Sequence, residues 1–234
     1  EEWKSSDAGK TYTFNLRDAK FSDGSTITAE DVVFSFLRLR DQEDSVYKAA
    51  FQVIDTITAK DKKTVVFKLK APTAPFLASV EIFNAAIVPK AVVKKLGDDA
   101  FGRNPVSAGP FRLVEWKIGD RLILEKNPNY WRKGRPFLDG VEWKIVTDPN
   151  TRVSMVQTGE AHVILDVPWN KIAELRSDSN IDLPLEPSTQ IWVGLLNHDK
   201  EPFNDVRVRR AIAHAINTPA MVNALTMGHA EIAN

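Results

Sequence analysis

Tyr12-Thr13-Phe14-Asn15-Leu16-Arg17-Asp18-Ala19-Lys20-Phe21-Ser22-Asp23-Gly24, followed by Thr28-Ala29-Glu30-Asp31-Val32-Val33-Phe34-Ser35, changes its hydrophobic period partway along. From Thr11 to Leu16 apolar and polar residues alternate, which places Tyr12, Phe14 and Leu16 on one face of a half-buried strand. Ser22-Asp23-Gly24 is a turn. Thr28 then caps a helix running to about Arg40, with Glu30 and Asp31 in the first turn, where the helix dipole favours acids. Val32, Val33, Phe36 and Leu37 follow at helical spacing, so this helix buries one stripe. Strand, turn and capped helix in succession indicate a mixed α/β chain.

The remainder extends that reading. Val53–Ala59 and Thr64–Leu69 form two strands around the polar turn Lys60-Asp61-Lys62-Lys63, with Val65, Phe67 and Leu69 sharing a face. Pro75 opens a short helix to Phe83, and Pro89 opens another to Leu96 that Gly97 closes. Asp98-Asp99 reads as a solvated loop. A second loop runs from Arg103-Asn104-Pro105 to Gly109-Pro110. Phe111–Trp116 and Arg121–Glu125 then make a hairpin, and Val141–Val146 a further strand. Trp116, Trp131 and Trp143 lie in or beside these strands and are expected in the core, since Trp usually contributes large buried area. Asn150–Thr158 is a helix with Val153 and Val156 inward. After it come a strand at Ala161–Val167, a short helix at Trp169–Leu175 and a buried strand at Gln190–Leu196. Asp205 caps a helix with Val208, Ala211, Ile212, Ala215 and Ile216 on its inner stripe, and Thr218-Pro219 caps and starts a last helix ending at Gly228.

Composition narrows the functional classes. The 234 residues are 43% apolar and 26% charged, ordinary for a globular protein, and the formal net charge is zero. Nucleic-acid binding normally carries a basic surplus, and none is present. The longest apolar run, Ile191–Leu196, is far short of the roughly 20 residues a spanning helix needs. No membrane insertion is therefore expected. With no cysteine, disulfides, thiol nucleophiles and cysteine-ligated metals are excluded. Glu1-Glu2-Trp3-Lys4 shows neither an initiator Met nor a signal segment, as expected after leader removal or for a piece of a longer protein.

Enzyme signatures are missing from the sequence. There is no phosphate loop, no Gly-x-Ser-x-Gly elbow and no His-Glu-x-x-His pair. His162, His198, His214 and His229 are scattered, and Glu30 and Asp31, adjacent on a helix, face different directions. The chain is read as a non-enzyme without cofactor or metal site. Its aromatics are the better lead. Tyr47, in the polar stretch Asp41–Tyr47, follows no helical or strand stripe, and an aromatic with a polar tip in a loop can read a ligand.

Four blocks, in order and spread over nearly the whole chain, carry a family resemblance. They are the two opening stretches; Gly109-Pro110-Phe111 with Asn127-Pro128-Asn129-Tyr130-Trp131; Met155-Val156-Gln157-Thr158-Gly159-Glu160-Ala161; and Pro202-Phe203-Asn204-Asp205-Val206-Arg207-Val208-Arg209-Arg210-Ala211-Ile212. Together they resemble the peptide/nickel class of ABC-importer solute-binding proteins. The resemblance implies a class II periplasmic-binding-protein clamshell of the peptide-binding type, of which this chain holds mainly the first lobe and the start of the second. Residues 1–107 would be the accessory subdomain of lobe one, 108–204 its main part leading to the hinge, and 205–234 the beginning of lobe two. His198, Asp199, Lys200, Glu201 and Pro202 would form a hinge crossing.

By the same resemblance, Tyr47 corresponds to a cleft-facing aromatic and Trp192, on the strand entering the hinge, is a second ligand-contact candidate. The solute would be a peptide, with nickel complexes, oligosaccharides, opines and glutathione as rivals and a periplasmic hydrolase as the other class of function. The partner would be an inner-membrane ABC permease, and the location periplasmic, or extracytoplasmic and membrane-tethered in a Gram-positive host. Full members of the family are longer, so the residues that read peptide termini are expected outside these 234. Apolar stripes left uncovered near Asp205–Gly228 would favour self-association.

Overall fold

The computed structural model describes residues 2–43, 45–81, 85–186 and 191–232. The chain forms two compact units, Glu1–Ile145 and Val146–Asn234.

The first unit holds two antiparallel sheets. In the larger, β1 (Glu2–Ser6), β2 (Thr11–Asn15), β4 (Thr64–Leu69) and β3 (Ile54–Ala59) lie in that order. Tyr12 pairs with Phe67 and Phe14 with Val65, which aligns the alternating apolar residues on one face. Helix α1 (Ala29–Asp41) lays Val32 and Phe36 on that face, joined by Phe51 from the short α2 (Lys48–Phe51) and Phe76 from α3 (Phe76–Glu81). The Phe36 ring stands edge-on to Phe67 at 5.1 Å and to Phe51 at 5.5 Å, geometry that suits the aromatic quadrupole. Phe83, the expected end of α3, lies outside the described residues.

The start of α1 does more than the expected cap. Asp31, almost fully buried, accepts from the Thr28 N–H at 2.9 Å and the Thr28 hydroxyl at 2.7 Å through one oxygen. Its other oxygen accepts the Lys90 N–H at 2.9 Å, at the start of α4 (Lys90–Leu96). Beside it Glu30 pairs with Lys90 Nζ at 2.8 Å, and that bond holds the Glu30 carboxyl below its ordinary range. Gly97 ends α4 with φ +79°, as its position suggested. The next residues correct the reading of a solvated loop: Asp98 and Asp99 open α5 (Asp98–Arg103). Acids in a first helical turn are favoured by the dipole, and Asp98 also binds Arg38 at 2.8 Å and Gln42 at 3.0 Å.

The second sheet is β5 (Phe111–Lys117), β6 (Arg121–Lys126) and β7 (Gly140–Lys144). Three family-resembling stretches meet beside it. Ser22 N–H donates to the Ser107 carbonyl at 2.7 Å, and Asn129 Nδ2 donates to the Ser22 carbonyl at 3.2 Å. Buried Asn127 donates to the Gly109 carbonyl at 2.8 Å and accepts from the Asn129 N–H at 2.9 Å. The expectation that the strand-region tryptophans are core is corrected here. Trp116, Trp131 and Trp143 are 44%, 45% and 53% exposed. Trp131 lies under the Arg17 guanidinium at 3.9 Å, while Trp116 and Trp143 flank Leu122 across the three strands.

The second unit is helical. Asp148 caps α6 (Pro149–Gln157), accepting from the Thr151 N–H at 2.7 Å. Val153 and Met155 are its buried residues, Val156 being only half-buried. A 3-10 turn at Trp169–Lys171 leads into α7 (Ile172–Ser177), as expected. The proposed strand at Ala161–Val167 is irregular instead. It has no neighbouring strand among the described residues, and Asp166 takes φ +55°, which ends extended geometry. Arg152 ties this stretch down, donating to the carbonyls of Val146, Thr147, Leu165 and Asp166 at 2.8–3.2 Å.

Gln190 lies outside the described residues, and Ile191–Leu196 is neither a strand nor buried, since no described strand pairs with it. Asp205 caps α8 (Val206–Ala215) as its sequence position indicates, accepting from the Arg207 N–H at 2.8 Å. The cap of α9 (Thr218–Thr226) is Asn217 rather than Thr218, because the Asn217 side chain accepts the Ala220 N–H at 3.1 Å. Neither α8 nor α9 contains a buried residue.

Candidate functional site

Tyr47 stands at the N-terminal edge of α2, on the link from α1. Two anchors set its position. Four residues on, Phe51 is fully buried against Phe36 and roots α2 in the core. The end of α1 is bound from the other side: Gln52 Nε2 donates to the Arg40 carbonyl at 3.0 Å, and Arg40 Nη1 donates to the Asp55 carbonyl at 2.9 Å. Asp41, paired to Arg40 at 2.6 Å, has its carboxyl held below the ordinary range by that hydrogen bond. With a ring 37% exposed beside the buried Phe51 helix, Tyr47 offers a part-wet aromatic next to the core.

Trp192 has a different environment. It is 81% exposed on the irregular Ile191–Leu196 stretch of the second unit. An indole so open contributes little enclosure by itself. Tyr47 and Trp192 belong to different units.

His198–Pro202 forms a compact turn. Asn197 Oδ1 accepts the Asp199 N–H at 3.1 Å, and the Lys200 carbonyl accepts the Asn204 N–H at 3.0 Å. His198 Nδ1 lies 3.4 Å from Asp199 Oδ1, and the Glu201–Pro202 peptide is cis. Helix α8 grips the turn from behind: Arg209 Nη1 donates to the Phe203 carbonyl at 2.6 Å. Arg207 chelates Asp205, and this hydrogen bond lowers the Asp205 carboxyl from its ordinary range. The turn is thus joined firmly to the helix that follows it.

Open concavities among the described residues of the first unit include two. One, about 260 Å³, lies between α1 and α4, with Val33, Leu37, Lys90 and Lys94 in its wall. The other, about 420 Å³, is bounded by Phe111, Tyr130, Arg132, Arg135, Phe137 and Leu138, with the Arg135 guanidinium stacked on Phe137 at 3.5 Å. Tyr47 lines neither. Among the described residues no three His, Asp or Glu side chains are grouped to hold a metal ion. His229 stacks on Trp169 at 5.9 Å, an aromatic contact that sequence spacing could not reveal. No helix among the described residues is long and apolar enough to cross a membrane.

The comparisons with known proteins point one way. The family model for bacterial extracellular solute-binding proteins, family 5 Middle, matches residues 1–234. The chain is 34% identical over 232 residues to the glutathione-binding protein GsiB of Escherichia coli strain K12, covering 98% of this chain and 45% of that protein. It is 29% identical to the periplasmic binding protein DppA from Helicobacter pylori, solved with peptide STSA. There the TM-score is 0.82, over 97% of this chain and 49% of that one. NikZ from Campylobacter jejuni, 23% identical, shares the fold at TM-score 0.85, covering 100% of this chain and 47% of that one. The fold is that of class II periplasmic binding proteins, and the chain spans about half the length of the relatives it matches.

Proposed function

The chain belongs to the bacterial extracellular solute-binding proteins, family 5, and from that premise we propose that it serves as the solute-capturing part of an ABC importer. In this reading it is non-catalytic, works in the periplasm or tethered outside a Gram-positive cell, and hands its solute to a membrane permease. The observation that carries the proposal is the unbroken family match along all 234 residues. A peptide is the favoured solute: DppA was solved with one, and the name of GsiB points to glutathione as the alternative.

The parts take roles accordingly. Residues 1–107 act as an accessory subdomain, 108–204 as the main part of the first lobe, and 205–234 as the start of the second. His198–Pro202 is the crossing between lobes; its clamp by Arg209 supports motion of the turn and α8 as one piece. Tyr47 is the aromatic contact on the first lobe, and Trp192 a second contact near the crossing.

Energetics sets the affinity expected of these 234 residues alone. Solvated ion pairs at an open surface contribute about 0–1 kcal/mol each. One aromatic wall therefore supports a Kd on the order of 1 mM, equivalent to about −4 kcal/mol. Amide-resolved NMR titration with di- to pentapeptides and glutathione measures this. Saturable shifts around Tyr47, lost in Tyr47→Ala, are expected. Binding with a Kd on the order of 1 μM or tighter would overturn this account of a one-walled site, and peptide cleavage during the titration would favour a hydrolase instead.

A further inference from the structure

From Lys126 to Leu138 the sequence carries Lys126, Arg132, Lys133 and Arg135 and no acidic residue, in a chain whose formal net charge is zero. The Arg135 N–H donates to the Arg132 carbonyl at 3.2 Å, closing a turn over Gly134 at φ +74°, a backbone angle that suits glycine. That turn brings Arg132 and Arg135 to the wall of one concavity of about 420 Å³, together with Phe111 and Tyr130. Arg132, Lys133 and Arg135 have no carboxylate partner among the described residues, whereas Arg112 and Arg121 on the adjoining strands are matched to Glu125 and Glu115.

Aromatic rings shape this cationic surface. Phe137 covers one face of the Arg135 guanidinium at 3.5 Å, which leaves the planar edge of N–H donors free to recognise an anion. Arg17, held over the Trp131 ring at 3.9 Å, adds a further cation from a separate part of the chain. A basic stretch is ordinarily a solvated face. This one has an apolar rim: Phe137 and Leu138 are 74% and 62% exposed and border the same concavity as the two arginines.

Two guanidiniums in a hollow suit a phosphate, which each planar fork can grip through paired N–H groups. Apolar side chains beside a basic stretch suit the boundary between lipid headgroups and acyl chains, where aromatic rings and cations both settle. A soluble anion would engage the arginines and leave Phe137 and Leu138 in water. A solvated basic loop would account for neither feature.

We propose that the concavity at Arg132 and Arg135 takes the phosphate of an anionic phospholipid, with Phe137 and Leu138 resting in the membrane interface beside it. The contact is peripheral and needs no spanning helix. This surface lies wholly in the first unit, excludes Tyr47 and is independent of the solute-capture reading.

Cosedimentation of the 234-residue chain with lipid vesicles tests this. Vesicles containing phosphatidylglycerol should capture the chain, pure phosphatidylcholine vesicles should not, and capture should weaken severalfold as salt is raised. Arg132→Ala with Arg135→Ala should reduce capture by roughly tenfold or more. Lys60→Ala with Lys62→Ala, an equal loss of charge on the exposed β3–β4 turn, should change it little. Arg132→Lys with Arg135→Lys keeps the charge but loses the forks, so capture should still fall severalfold. Phe137→Ser with Leu138→Ser should lower capture at unchanged charge. Melting followed by circular dichroism should be the same for all four pairs. No capture by phosphatidylglycerol, equal capture by both lipids, or a lysine or serine pair that binds as wild type would overturn the proposal. So would amide shifts at Arg132 and Arg135 that saturate with glycerol phosphate while vesicles capture nothing, which would give the site to a soluble phosphate ester. None of these readouts uses a peptide, so failure here is distinct from failure of the solute proposal.

Discussion

Replacing Asp31 should weaken the first unit more than its position in a first helical turn suggests. Both carboxylate oxygens are in use, one by the Lys90 N–H at 2.9 Å, the other by the Thr28 N–H at 2.9 Å and the Thr28 hydroxyl at 2.7 Å. Asp31→Ala strands two backbone donors, each worth about 1–3 kcal/mol when left unpaired in a buried setting; some water access brings the expected total to about 2–4 kcal/mol. Asp31→Asn keeps one acceptor and turns an NH₂ toward the other donor, so it should still cost about 1–3 kcal/mol. Thr28→Ala removes only the hydroxyl and should cost about 1 kcal/mol. With a urea slope near 2 kcal/mol per M, the midpoint for Asp31→Ala should fall by about 1–2 M. Circular dichroism through a urea titration gives the ranking, and hydrogen exchange at the Lys90 amide isolates the α4 contact. That amide should exchange faster in both Asp31 variants and not in Thr28→Ala. An Asp31→Asn midpoint equal to wild type, or a Thr28→Ala loss as large as that of Asp31→Ala, refutes the account.

Phe67→Ala, which empties a site bounded by Phe14, Phe36 and Phe76, should cost about 3–5 kcal/mol in the same urea titration. Arg152→Lys keeps the charge but loses the planar fork that reaches four carbonyls; limited proteolysis should then cut faster within 161–168, while equal cutting rates would count against the clamp. The Asp148 carboxyl is held below its usual range by hydrogen bonds from the Thr151 hydroxyl and N–H, so its capping contribution is complete above the unfolded pKa of about 3.9 and is lost as pH falls through the folded value. Amide shifts of Thr151 should therefore titrate in the acid range, and Asp148→Asn, which still caps at neutral pH, should remove that titration.

Local chemistry was legible where its partners are local. The alternation at Thr11–Leu16 and Thr64–Leu69 placed Tyr12, Phe14, Val65 and Phe67 on the face they occupy, and the Thr28 and Asp205 helix starts stand where capping rules put them. Asp31 was legible only as a first-turn acid, because its bond to Lys90 crosses 59 residues and leaves no mark in spacing. Asp98 was misread for the same reason: its partners Arg38 and Gln42 come from the distant end of α1 and the residue after it. In the candidate site, Tyr47 was visible as an aromatic off every stripe, but not the anchoring by Phe51 and Gln52 that holds it. The strand reading of Ile191–Leu196 took composition for pairing. Apolar run and extended shape do not make a strand without a neighbour to accept its hydrogen bonds.

The residues that carry the family resemblance have structural work to do. Phe21 is buried, Gly24 takes φ +88°, and the side chains of Asn127 and Asn129 bind main-chain groups. Ser22 exchanges hydrogen bonds with Ser107, through its N–H to the Ser107 carbonyl and from the Ser107 N–H to its hydroxyl. These groups fasten the first sheet's turn to the second sheet, and their donors and acceptors are engaged in doing so. A side chain engaged with backbone on both sides has little capacity left to discriminate a solute. Blocks of this kind specify the frame. In the proposed function, choice of solute would rest with groups free of that duty, of which the part-exposed Tyr47 ring is the candidate. On that argument Tyr47 is a better position for altering specificity than any residue of Phe21–Gly24 or Asn127–Asn129. Substitution at Tyr47 should change binding with little loss of stability, whereas Asn127→Ala should destabilise the first unit before it changes any preference among solutes.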